Sequence, residues 1–547
     1  MSVESLITQC GGETNITRVL MPQGRLIFAI RDCSRVASTV SGSQIKIVLD
    51  EYQVEFPIPD SLSPADLLPI GQRIGEKQRL ELEHALDAVN CPFRPDWHIS
   101  PPQGLLNDPN GFVYHDGQYH LFYQWYPHGC SHKDKYWAHL TSKNLIEWQW
   151  QPVALTPSDW FDSHGVFSGH ALSHGSELML FYTGNVRIGE NRERHTTQCL
   201  ATSKDGVNFD KHGPVISELP DGVTAHIRDP KIVRHQNQWF MLLGAQTTDL
   251  KGRLAVYTST DLRAWKFDAL YGEELGDFGY MWECPDMFEL DGQMFVVIGP
   301  QGIESFSKHN TIPHHNGIAK ACLENGLSLS QFEHLDYGFD FYAPQTLETP
   351  DGRRVMCGWM GLPDEVDQPS SENGWVHQLT CMRELSYQNG RLKQWPVKEL
   401  EELVQSQRHI ELTDEPYRLE RNSFDLEVDL EWGQSLNLFE SSQHKVVLYA
   451  DEDRQTLILD RSQTLNRAVD SQRELKIDTD KIQLRILADI SSIEVFVNHG
   501  QAVMTSRVFV EQAATGISLL HGCQTARLKT LKAARPPFAR LGNGLQQ

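Results

Sequence analysis

Asp291-Gly292-Gln293-Met294-Phe295-Val296-Val297-Ile298 reads as a tight turn running straight into a strand. Asp-Gly suits the turn of a β-hairpin, and the apolar run after it suits a pleated, half-buried surface. The same phrase recurs at Asp116-Gly117-Gln118, Gly175-Ser176-Glu177, Asn237-Gln238 and Asp351-Gly352-Arg353, each followed by a run such as Tyr119-His120-Leu121-Phe122-Tyr123. Counted from Gly117 through Gly175, Asn237, Gly292 and Gly352, the gaps are 58, 62, 55 and 60 residues. Each spacing is right for one generous four-stranded blade, and five such turns predict a closed five-bladed β-propeller. A second echo, Thr141 to Trp148, Thr202 to Phe209 and Thr258 to Trp265, repeats at offsets of 61 and 56 and is expected to form later strands of successive blades.

The register of the turns also places chemistry. Seven to nine residues upstream of them lie Asp108, Ser168, Asp229, Glu283 and Gln345, expected just before the first strand of each blade. Innermost strands surround a propeller's axis, so these polar groups should converge. Two aspartates and a glutamate sharing one funnel are what acid/base or nucleophilic work on a sugar requires. Asp before Pro, as in Asp108-Pro109 and Asp229-Pro230, is otherwise a common turn opener. Only repetition at one register sets these carboxylates apart.

The rest of the 547-residue chain bounds the possibilities. Apolar residues make up 40% of it, yet no run approaches the roughly 18 that a membrane span needs. Met1-Ser2-Val3-Glu4-Ser5 lacks the basic start and apolar core of an export signal. Ten cysteines spread singly from Cys10 to Cys523 suit reduced thiols, and with the N-terminus they point to the cytoplasm. A net charge of -23 argues against nucleic acid as partner. The patterns divide the chain into a β-rich module (1–70), a helical connector (71–93), the propeller (94–396), a helical linker (397–408) and a β-sandwich (409–547). Within the connector a helix is expected from Gln72 to Ala88. The sandwich is expected to stabilise the chain or to join copies of it in a homo-oligomer, without chemistry of its own.

Trp97-His98-Ile99-Ser100-Pro101-Pro102, Gly104-Leu105-Leu106-Asn107-Asp108-Pro109-Asn110-Gly111, Phe122-Tyr123-Gln124-Trp125, Phe167-Ser168-Gly169, Arg228-Asp229-Pro230 and Trp282-Glu283-Cys284-Pro285-Asp286 stand in this order. In these motifs the chain resembles glycoside hydrolase family 32, the invertases and fructan hydrolases, and most nearly its bacterial sucrose-6-phosphate hydrolases. The resemblance runs from about residue 94 to 535. It implies a cofactor-free retaining hydrolase of terminal β-fructofuranosides. Asp108 matches the nucleophile, Glu283 the general acid and base, and Asp229 the stabiliser of the transition state. Such a pair needs Glu283 protonated while Asp108 is ionised, and neighbouring negative charge is expected to raise the pKa of Glu283. Asn107, Gln124 and Ser168 are expected to add hydrogen bonds to the sugar, with Leu105, Leu106 and Arg228 beside them. Trp125, Trp137, Phe167 and Trp282 are expected to form its apolar walls.

Other readings stay open. The run His128-Gly129-Cys130-Ser131-His132 fits no closed zinc pattern, and no metal is expected. The substrate could be sucrose, sucrose 6-phosphate or a fructo-oligosaccharide. A phosphate would need a local basic patch, for which Lys133, Lys135, Arg192, Arg194 and Lys308 are candidates. His170, Ala138 and Met382 depart from the family pattern, and the first 70 or so residues lie outside it. The rivals are an inulin or levan hydrolase, an inverting five-bladed arabinan- or xylan-type glycosidase, and a propeller that binds carbohydrate without turnover.

Overall fold

The computed structural model describes residues 2–534 except 23, 41, 49, 59–61, 86–90, 304–312 and 324–325. The N-terminal module opens on a helix the sequence pattern did not suggest, α1 (Val3–Gln9), capped by the Ser2 side chain. Four strands follow in one antiparallel sheet, and Leu26, Phe28 and Val54 of this sheet share a core with Ile70 and Ile74 of α2 (Leu68–Ala85). That second helix starts four residues before the expected Gln72, because Ser63 and Asp66 cap the turn Pro64–Leu67 that leads into it. Its expected end, 86–88, lies outside the described residues. Gly71 lets α2 lie flat on the segment after residue 155, since a Cβ there would stand 1.8 Å from Asp159 Oδ1. Among the described residues no helix is long and apolar enough to cross a membrane.

Five antiparallel sheets follow, each with its four main strands hydrogen-bonded in chain order. They begin with Gly104–His115, Val166–His174, Val223–His235, Met281–Leu290 and Tyr342–Glu348. The five recurring turns join first strand to second in every sheet, with His115 opposite Gln118, His174 opposite Glu177, His235 opposite Gln238, Leu290 opposite Gln293 and Glu348 opposite Arg354. Between the first and fifth sheets the chain makes a stitch. Trp375–Val376 pairs in parallel with Gly104 and Leu105, while Gln378–Leu379 pairs with Trp359 and Met360.

The second echo proves to be the end of a third strand, at Thr141-Ser142, Thr202-Ser203 and Thr258-Ser259, followed by a turn. Asn144, Asp205 and Asp261 each accept two backbone N–H groups, from Ile146 and Glu147, Val207 and Asn208, and Arg263 and Ala264. The hydroxyls of Ser142, Ser203 and Ser259 donate to the same side chains. The repeated Ser-x-Asn/Asp is therefore an Asx-turn between third and fourth strands, recurring because each sheet needs the same reversal there.

Beyond residue 396 the expected helical linker is only partly helical. Lys398–Leu403 is a 3-10 turn, and a strand, Val404–Leu412, already starts within it. Two six-stranded sheets then share one buried core, with Leu426, Ile486 and Val495 from one facing Leu438, Leu448 and Ile517 from the other. Buried polar groups join this pair to the rest. Glu494 accepts from Arg383 (2.6 and 3.0 Å), from the Cys381 backbone (2.8 Å) and bonds His98 Nε2 (2.9 Å). Burial pushes its pKa up, but Arg383 and His98 outweigh this and hold it at about 2. Asp489 accepts the backbone N–H groups of Trp97 and His98, each at 3.0 Å.

Candidate active site

The polar residues expected to precede the first strands lie inside them, on β-bulges. In the third, fourth and fifth sheets the bulge is the same. Pairing holds at Arg228, Glu283 and Tyr342 and resumes at Lys231, Asp286 and Gln345. The residue after each break, Asp229, Cys284 or Ala343, takes a positive φ of 66°, 47° or 48°. Bulges of this kind re-aim side chains that a regular pleat would alternate. Glu283 is thus equivalent to Arg228 and Tyr342, not to Asp229, whose counterpart is Cys284. Arg228, Glu283 and Tyr342, on three neighbouring sheets, meet one another as a consequence.

The contacts are specific. Arg228 donates twice to Glu283 Oε1, from Nη2 at 2.6 Å and Nε at 2.9 Å. The other carboxylate oxygen accepts from Gln301 Nε2 (2.7 Å) and the Tyr342 hydroxyl (2.9 Å). Asp108 accepts from the Ser168 hydroxyl at 2.5 Å; Ser168 accepts from Gln124, and Gln124 from Asn107, both at 2.6 Å. The Cys284 thiol lies 3.6 Å from one carboxylate oxygen of Asp108 and of Asp229 alike, and the Cys284 N–H donates to Asp229 at 2.9 Å. The three carboxylates therefore do share one place. Gln345 does not join them; it donates to the Gly169 carbonyl.

Electrostatics reverse one expectation. Burial raises Asp108, with the charge of Glu283 adding to it and the Ser168 hydrogen bond opposing. Asp229 rises to about 7 through burial and the charges of Glu283 and Asp108, against the pull of Arg228. Glu283, expected to be raised, is lowered: burial pushes it up, but the charge and hydrogen bonds of Arg228 and the Tyr342 hydroxyl prevail. Among the three carboxyl groups the pKa thus rises at the two aspartates and falls at the glutamate.

These groups open into a cavity of about 280 Å³, close to the lower end of the roughly 300–1,000 Å³ usual for small-molecule sites. Of the residues singled out from sequence, Asn107, Asp108, Gln124, Phe167, Arg228, Asp229 and Glu283 line it. Leu105, Leu106, Trp125, Trp137, Ser168 and Trp282 do not, being wholly buried. The three tryptophans are core rather than walls: their indole N–H groups donate to the backbone carbonyls of Gln103, Phe167 and Phe278. Trp359, Tyr342, Gln301 and His164 line the cavity and escaped the sequence reading. Gln301 ends a second strand as Gln124 nearly does, a signal that was there to be used. The departures His170, Ala138 and Met382 are all buried away from the cavity lining. A larger hollow of about 820 Å³, near Arg94 and Arg421, contains none of the three carboxylates.

Of the basic candidates, Lys133, Lys135, Arg192 and Arg194 line the cavity, and Lys308 lies outside the described residues. Lys135 stands 3.1 Å from His132 Nδ1, and burial drops its pKa to about 7 despite the charge of Asp108. His128, Cys130 and His132 turn to separate partners, Tyr136, the Ser371 carbonyl and Lys135. The N-terminal module also reaches this rim: Arg18 pairs with Asp134 and Glu51 and donates to the Ser163 carbonyl.

Residues 98–396 match the model of the glycosyl hydrolases family 32 N-terminal domain, and 397–535 that of the family 32 C-terminal domain. The chain belongs to glycosyl hydrolases family 32. It is 56% identical over 543 residues to a probable sucrose-6-phosphate hydrolase of Psychromonas ingrahamii, covering 98% of this chain and all of that one. Among solved structures it is similar to a Bombyx mori family 32 β-fructofuranosidase (TM-score 0.76, 32% identity, 84% of this chain, 99% of that one). It is likewise similar to the sucrose-6-phosphate hydrolase of Lactobacillus gasseri (TM-score 0.76, 28% identity, 84% and 97%).

Proposed function

We propose that the chain is a β-fructofuranosidase that hydrolyses sucrose or sucrose 6-phosphate to fructose and glucose or its 6-phosphate, by double displacement. The observation that carries this is three carboxylates on bulged first strands of three sheets, at one cavity, in a chain of this family. Asp108 attacks the anomeric carbon, Glu283 protonates the leaving oxygen and then activates water, and Asp229 grips the fructose hydroxyls as positive charge builds. Arg228 holds the pKa of Glu283 down, while that of Asp229 is raised to about 7. Glu283 must therefore take up a proton as the sugar loosens the grip of Arg228.

The architecture we assign is a closed five-bladed propeller followed by a sandwich. The stitch at residues 375–379 supports closure, since it joins the last sheet to the first. So do the hydrogen bonds between neighbouring first strands, from Gly169 N to Asn110, from Cys284 N to Asp229 and from Thr346 N to Asp286. The N-terminal module, ahead of the family match, buttresses the rim through Arg18. We place the enzyme in the cytoplasm and leave the sandwich face available for a second copy.

Proton NMR of sucrose hydrolysis tests the mechanism. Retention at the fructosyl carbon in the first-formed product is expected, and net inversion would sink double displacement. Asp108→Asn should lose at least about four orders of magnitude in kcat with unchanged circular dichroism, as removing a nucleophile does. Near-normal turnover by that variant would refute the assignment.

A further inference from the structure

We propose that the hairpin between Glu177–Ile188 and Glu193–Ser203 carries an anion subsite, built by Arg187, Arg192 and Arg194, for the phosphate of the leaving sugar. The proposal rests on the hydrolase reading of the cavity and names the half of the substrate that the carboxylates do not hold.

Four observations converge. Arg187 and Arg194 are direct cross-strand partners, a placement of like charges that destabilises a sheet unless something neutralises them. Among the described residues neither they nor Arg192 have a carboxylate within ion-pairing distance, although the chain carries 72 acidic residues against 49 Lys and Arg. Their protein partners are neutral. Arg187 Nη1 donates to the Arg192 carbonyl at 3.2 Å and Arg194 Nη1 to Asn185 Oδ1 at 3.1 Å, while Arg194 Nε is buried without a partner. All three line the cavity that holds the carboxylates. Burial and the charges of Arg228 and Arg187 depress Arg194 to about 9, a strain that a bound dianion would relieve.

Two of the other cations at the site, Arg228 and Lys135, are engaged or unsuited. Arg228 is committed to Glu283, and Lys135 is buried against His132 with a depressed pKa. The arginine group instead runs from Arg192, on the exposed turn, inward to half-buried Arg194. Fructose must sit on the carboxylates to react, so an anion at this rim is carried by the leaving sugar. Guanidinium groups suit it because their planar forks match phosphate oxygens in a way a lysine does not.

Kinetics on sucrose and sucrose 6-phosphate, with calorimetric titration of glucose 6-phosphate and glucose, test the subsite. The wild type should favour the phosphorylated substrate by roughly 100-fold in kcat/KM, and Arg192→Gln/Arg194→Gln should remove most of that ratio, mainly through KM. Arg192→Gln alone, on the exposed turn, should lower the ratio by roughly tenfold and guards against misfolding of the double variant. Equal kcat/KM for the two substrates in the wild type, or a ratio unchanged by both variants, overturns the proposal. If neither sugar is cleaved, the hydrolase reading fails instead. The titration then decides alone: glucose 6-phosphate binding that Arg192→Gln weakens supports the subsite, and absence of binding to the wild type refutes it.

Discussion

Glu283 and Asp229 show how neighbouring carboxyl groups come to hold protons differently. Both are recessed at the cavity, but only Glu283 sits in the line of Arg228 and Tyr342. A stability test follows for Asp229. Its pKa is raised from 3.8 to about 7, so the folded state holds a proton that the unfolded state has lost between these values. Stability contributed by this group is therefore present below pH 4 and is lost as pH rises towards 7. Asp229→Asn removes the charge and should raise Tm relative to wild type more at pH 8 than at pH 5, while abolishing turnover. A Tm difference that is the same at both pH values would contradict the raised pKa. The carboxylates were legible in sequence because their turns repeat. Trp125, Trp137 and Trp282 were not, because whether an indole faces a sugar or a backbone carbonyl depends on packing that no motif spells out.

Strands and turns account for the next share of what could and could not be read. The five hairpin turns were legible since Gly and Asp at fixed spacing have one conformational use. The Ser-x-Asn/Asp echo reads in sequence as strand, because its flanking Thr, Leu and Trp also suit a sheet. Its role as a turn makes a test. Asp205 accepts two backbone N–H groups and the Ser203 hydroxyl, so Asp205→Ala should cost about 1–2 kcal/mol, the usual loss for a local cap of this kind. Urea denaturation measures it, and an unchanged midpoint would deny the turn its part in the sheet. The bulges were invisible beforehand: they depend on cross-strand pairing, and sequence alone places Glu283 and Asp229 at one register when pairing separates them by one residue.

Across the whole molecule, the surprise lies in the sandwich strand Ser492–Val497. It was legible as a strand, yet the glutamate inside it is the hinge-pin of two lobes. Glu494→Ala would leave Arg383 and His98 buried without their shared partner, at a cost of about 3–5 kcal/mol. Soluble yield and the urea midpoint should both fall sharply; a variant as stable as wild type would mean that the remaining contacts, those of Asp489 with Trp97 and His98 among them, hold the lobes together without Glu494. The lobes are in this sense one folding problem, and the order in which the chain is made adds another. Gly104 and Leu105 find their parallel partners only at Trp375 and Val376. At the 5–20 residues per second of protein synthesis, about 270 residues take on the order of 15–50 s to arrive. Through that interval the edge of the first sheet waits unpaired on the ribosome, open to any strand that reaches it first. The longer translation takes over those residues, the longer that edge is exposed before its own partner can cover it.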